Sequence, residues 1–96
     1  MRITPHRESS VEAKAVRLAR DAGWRTIKVG MDGWPDRLFW RDRVYCWVEF
    51  KRPGGRPSPR QVLRGKELTE NGERYILVDD VDVFMSWLVC QTCGGR

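Results

Sequence analysis

The sequence predicts an α/β fold, a mixed sheet flanked by helices in the order α-β-β-β-α-β-α. Three observations carry this. Val11, Ala15, Leu18 and Ala22 recur at helical spacing and stop at Gly23. Residues 36–51 are rich in aromatic and branched side chains and alternate with period two. The rest then switches back to helix at Ser58-Pro59, to an apolar run at Tyr75-Ile76-Leu77-Val78, and to a last helical stripe of Val81, Phe84, Met85 and Leu88.

In chain order, residues 1–7 form a polar arm. The first helix starts at Ser9 or Ser10, and Val16 and Ala19 widen its apolar stripe. Glu12 falls beside that stripe rather than opposite it. Ser9-x-x-Glu12 also reads as a capping box, so two uses for Glu12 stay open. Glu8 lies one turn earlier on nearly the same face. Residues 24–29 read as a strand, with Ile27 and Val29 on the face of Arg25 and Lys28 on the other. Gly30-Met31-Asp32-Gly33 is a turn, and turn chemistry accounts for Asp32. Pro35 holds Trp34 extended.

Two strands follow, at residues 36–41 and 44–51. Val44, Cys46, Val48 and Phe50 share one face; Tyr45, Trp47, Glu49 and Lys51 share the other. A carboxylate and an ammonium therefore project together at the end of a core-forming strand. An even-residue turn at Asp42-Arg43 would pair Arg41 with Val44 and set Asp36 directly opposite Glu49. Opposed residues have Cβ atoms about 4.5–5.5 Å apart. An odd-residue turn would put the two carboxylates on opposite faces. Two facing carboxylates repel unless a positive charge lies between them. Lys51 supplies one, and a hard divalent cation, which takes one or two carboxylates with waters and phosphate, would supply more. This is the chemistry of metal-assisted phosphodiester hydrolysis.

Ser58 caps the second helix, Pro59 fits its first turn, and Gly72 follows its last residue, Asn71. Gln61 falls in the first turn, facing Glu49 and Lys51. Residues 74–78 read as a buried strand, and Asp79 or Asp80 caps the final helix. Residues 89–96 are expected to be a tail with free thiols at Cys90 and Cys93; this Cys-x-x-Cys is half a zinc site with no second half, and His6 has no evident role.

Gly33-Trp34-Pro35-Asp36, Glu49-Phe50-Lys51 and Ser58-Pro59-Arg60-Gln61 together resemble the PD-(D/E)XK nucleases, and most closely the VRR-NUC family in its stand-alone form. The resemblance spans residues 8–88. It implies a restriction-endonuclease-like core and a Mg2+- or Mn2+-dependent DNA endonuclease. Asp36, Glu49 and the Phe50 backbone carbonyl would be the metal ligands, Lys51 the activating or stabilising group, Gln61 the residue that positions water or phosphate, and Glu12 an assisting glutamate. It also implies a homodimer acting on branched DNA, including four-way junctions.

The chain has 96 residues, enough for one domain with a modest core. Its net charge of +5 suits a polyanionic partner. Lys28, Arg52, Arg56 and Arg60 are the expected DNA contacts, reaching the backbone rather than reading bases. Five tryptophans are many for this length; most suit core or interface, and some suit stacking on bases. The absence of a long apolar run or a leader-like start implies no membrane span and a cytosolic location, in a phage or bacterial context. A catalytically silent DNA-binding module would share the basic surface, and a small interaction subunit the tryptophans. Neither requires Asp36, Glu49, Lys51 and Gln61 to occur together.

Overall fold

The computed structural model describes residues 7–93, which run α1 (Arg7–Asp21), β1 (Arg25–Lys28), β2 (Arg37–Arg41), β3 (Val44–Phe50), α2 (Pro59–Glu70), β4 (Arg74–Val78) and α3 (Val81–Cys93). A two-residue turn sets the sheet. Asp42 and Arg43 have φ of 50° and 70°, the positive values that a tight turn between right-twisted strands requires. Arg41 therefore pairs with Val44 and Arg37 with Val48. β1 joins antiparallel to β2, and β4 returns through α2 to lie parallel to β3, giving the order β1-β2-β3-β4.

One sheet face carries the core. Phe39, Cys46, Val48, Phe50 and Val78 pack against Ala15, Val16 and Ala19 of α1 and against Phe84 and Leu88 of α3. Phe39, Phe50 and Phe84 meet edge to face, with centroids 5.2–6.2 Å apart, the arrangement ring quadrupoles favour. α2 packs on the opposite face, at β4. Gly65 makes this approach possible: a Cβ there would lie 2.7 Å from the Tyr75 ring.

Several expectations are corrected. α1 begins before Ser9, so Ser9 is no N-cap and the Ser9/Glu12 capping box has no helix end to serve. β4 is an edge strand, not a buried one: of its residues only Val78 is buried, and Leu77 is exposed. On β1 the buried residue is Thr26, while Ile27 is 51% exposed. α3 continues to Cys93 instead of giving way to a tail after Leu88. Asp80 is its cap, accepting from Val83 N–H at 3.0 Å. The expectations for His6, the N-terminal arm and the side chains of Glu8 and Cys93 lie outside what is described.

Candidate active site

The hairpin register brings two carboxylates to its open end. One step beyond the Arg37–Val48 pair, Asp36 faces Glu49. Its Oδ2 accepts a hydrogen bond from Phe50 N–H at 2.8 Å, while its carbonyl accepts from Val29 N–H at 2.9 Å. Asp36 is thus fixed from both neighbouring strands. Burial raises its pKa most, the Phe50 N–H opposes this, and the charge of Glu12 adds to the rise.

Glu49 is 1% exposed. Its Oε2 accepts from Gln61 Nε2 at 2.6 Å and lies 3.4 Å from Lys51 Nζ. Its Oε1 is buried with no partner among the described residues. Burial, then the charge of Asp36, pushes its pKa up to about 7, against the pull of Lys51. An unpaired buried carboxylate oxygen is costly and calls for an explanation.

Gln61 reaches Glu49 because the start of α2 is locked. Ser58 Oγ accepts from Gln61 N–H at 3.2 Å, and Gln61 Oε1 accepts from Ser58 N–H at 2.9 Å. This capping box leaves the Gln61 amide nitrogen as the only part of the side chain free to donate.

Glu12 approaches from α1. Its Oε2 lies 2.6 Å from Arg37 Nε and 3.9 Å from Lys28 Nζ. It is close enough to influence Asp36, yet among the described residues no three His, Cys, Asp or Glu side chains form a ligand set by themselves. Asp36 and Glu49 still fit a divalent cation: the charge of Asp36 opposes ionisation of Glu49, and Glu49 Oε1 has no partner among the described residues. Backbone and water would complete the coordination, as Mg2+ commonly requires.

The basic residues separate into two groups. Lys28 is exposed at the end of β1, and Arg52 and Arg56 line one shallow recess with Lys51 and Gly55. Arg60 is already paired, with Nη1 2.6 Å from Asp32 Oδ2. That contact gives Asp32 a role beyond turn chemistry. Sequence reasoning counts Arg64 only as positive charge on the second helix and misses its stack: the guanidinium carbon lies 4.1 Å from the Trp34 ring centre, with Trp47 on Trp34 at 5.4 Å. Helix α2 therefore holds the Glu49 strand through Gln61 and the Asp36 loop through Arg60 and Arg64. The spacing of 60, 61 and 64 places the three on one side of the helix but does not name their partners.

The fold and the order of these motifs define a restriction-endonuclease-like α/β domain. No protein-family model matches the chain. A curated relative, "Putative nuclease p44" of Acyrthosiphon pisum secondary endosymbiont phage 1, is 32% identical over 81 residues, covering 80% of this chain and 87% of that protein. A solved structure titled "VRR_NUC domain" superposes with a TM-score of 0.78 at 22% identity, covering 88% of this chain and 96% of the other. A second, "VRR_NUC domain protein", gives 0.72 at 14% identity, covering 95% and 92%. The chain belongs to the VRR-NUC nuclease family. Among the described residues no helix is long and apolar enough to cross a membrane.

Proposed function

We propose that this chain, as one nuclease domain over residues 1–96, is a metal-dependent endonuclease that hydrolyses phosphodiester bonds in branched DNA, such as the four-way junction. The supporting observation is the Glu49 carboxylate, buried, with one oxygen held by Gln61 and Lys51 and the other unpartnered beside Asp36. Asp36, Glu49 and the Phe50 carbonyl would hold Mg2+ or Mn2+, which lowers the pKa of a bound water and withdraws charge from the phosphodiester. Lys51 donates to the phosphoryl oxygens as negative charge builds on them. Gln61 fixes Glu49 so that its other oxygen faces the site. Glu12, anchored by Arg37, assists from α1 in orienting water. Lys28, Arg52 and Arg56 bind backbone phosphates, whereas Arg60 contributes less because Asp32 neutralises it.

A homodimer suits a two-armed substrate, since two-fold symmetry presents two sites. The exposed Val62 and Leu77, beside a groove of about 490 Å³ between α2 and β4, offer apolar surface for a second copy. The proposed location is the cytoplasm of a bacterial cell, in keeping with the phage relative. The test is cleavage of labelled duplex, flap, single-stranded and four-way-junction DNA, each with Mg2+, Mn2+ or EDTA. Preferential metal-dependent cutting of the branched substrates supports the proposal; equal cutting of all would remove the selectivity, and none would remove the enzyme.

A further inference from the structure

The sheet face that carries Glu49 continues past the carboxylates. α1 and α3 cover the opposite face, and α2 covers this one only at β4. At the hairpin end, Arg25 pairs with Trp40 and Trp40 with Tyr45. Directly paired residues project to the same side, so these three form one row on the open face. The Trp40 and Tyr45 rings are nearly parallel, 18° apart with centroids 6.4 Å from each other. Tyr45 is 50% exposed. Arg25 is exposed and makes no ion pair with a described residue.

This row lies four residues along the strands from Asp36 and Glu49, about 13 Å at the rise of a β-strand. The apolar row of Ile27, Leu38 and Trp47 lies between. At the roughly 3.4 Å rise of a stacked nucleic-acid strand, that distance is about four nucleotides, and fewer when the strand is extended. An exposed Tyr45 ring nearly parallel to a half-buried Trp40, with an adjacent unpaired guanidinium, offers what an unpaired nucleotide needs: a surface for its base and a cation for its phosphate.

We propose that Arg25, Trp40 and Tyr45 form a stacking platform for an unpaired nucleotide of the substrate, a few positions from the bond cut at Asp36 and Glu49. This rests on the nuclease reading and, among branched substrates, favours those with an unpaired segment beside the cut, such as a flap. A second copy of the chain fits this face less well. A two-fold interface would bring the Arg25 patches of both copies together, and Arg43, exposed in the adjoining turn, would add to the repulsion.

The test measures binding in EDTA of a fluorescein-labelled blunt duplex and of the same duplex with a short thymidine tail, with sedimentation run on the same samples. Wild type is expected to bind the tailed duplex about tenfold more tightly, the effect of one stacked base. Tyr45→Ala should bring that ratio towards one, and Tyr45→Phe should keep it. Arg25→Ala should reduce the salt dependence of tailed binding by about one phosphate contact. A wild-type ratio of one overturns the proposal. So does a shift from dimer to monomer in Tyr45→Ala, which would assign the face to a second copy. If Tyr45→Ala fails to fold, Tyr45→Phe and Arg25→Ala still decide. Cleavage with Mn2+ of both duplexes and of a four-way junction separates the two readings: equal cutting of the blunt and tailed duplexes removes the platform alone, and no cutting of any of the three removes the nuclease as well.

Discussion

Gln61 donates to Glu49 Oε2 at 2.6 Å while its backbone N–H and its Oε1 close the capping box with Ser58. One side chain thus ends a helix and restrains a buried carboxylate. The two roles separate by substitution. Gln61→Ala should lose both, costing about 1 kcal/mol of stability and about 10- to 100-fold in cleavage rate. Gln61→Glu keeps a capping acceptor but sets a second carboxylate against Glu49. Its cleavage should fall as far, with a smaller stability loss at low pH. Thermal melts and single-turnover rates on both variants check this.

Glu49 makes the metal-free protein sensitive to pH. Its folded pKa, about 7, lies above the ordinary 4.5, so the folded state binds the proton more tightly. The resulting stabilisation is full below the ordinary pKa and is lost as pH rises through about 7. The shift corresponds to about 3 kcal/mol. In EDTA, the melting temperature should fall from about pH 5 to about pH 8, and Glu49→Gln should flatten that fall. Mn2+ should restore stability at the higher pH in wild type and not in Glu49→Gln.

The Arg64–Trp34 stack, 4.1 Å from guanidinium to ring centre, ties α2 to the loop that carries Asp36. Trp34→Ala and Arg64→Ala should each weaken Mn2+ binding severalfold. Their double mutant should be little worse than either single one, with a coupling of about 1 kcal/mol. Calorimetric titration of Mn2+ into the four proteins reads this coupling directly. Equal affinity in all four would make the stack merely structural.

Arg43, at φ 70°, holds a left-handed conformation that costs a non-glycine residue about 1 kcal/mol. Arg43→Gly should stabilise the hairpin by roughly 0.5–1 kcal/mol while leaving the Asp36–Glu49 register intact. Denaturant melts measure the gain.

Much of this was legible because it is local or periodic. Alternation along residues 44–50 fixed the core face, and a two-residue turn leaves one register for Asp36 and Glu49. The helix start at Ser58 and the direction of Gln61 towards Glu49 were legible; the capping box that Gln61 closes and its hydrogen bond to Glu49 depend on how α2 packs. The start of α1 was misplaced because Ser9 has capping chemistry, but Glu12 finds a charged partner 25 residues away in Arg37. β4 looked buried because its apolar run is the same whether a strand is central or lies at an edge between two helices, here α2 and α3. α3 outran its expected end because neither Gly nor Pro interrupts the chain before Gly94. The pairing of Arg60 with Asp32 and of Arg64 with Trp34 is tertiary, and no local pattern encodes it.

The most direct test of the central claim is the cleavage rate of a labelled four-way junction by wild type, Asp36→Ala and Lys51→Ala, with Mn2+ and with EDTA. Wild type should cut only with the metal. Both variants should retain junction binding and lose at least about 100-fold in rate. Binding without cutting in wild type, or undiminished cutting by Asp36→Ala, would contradict the account.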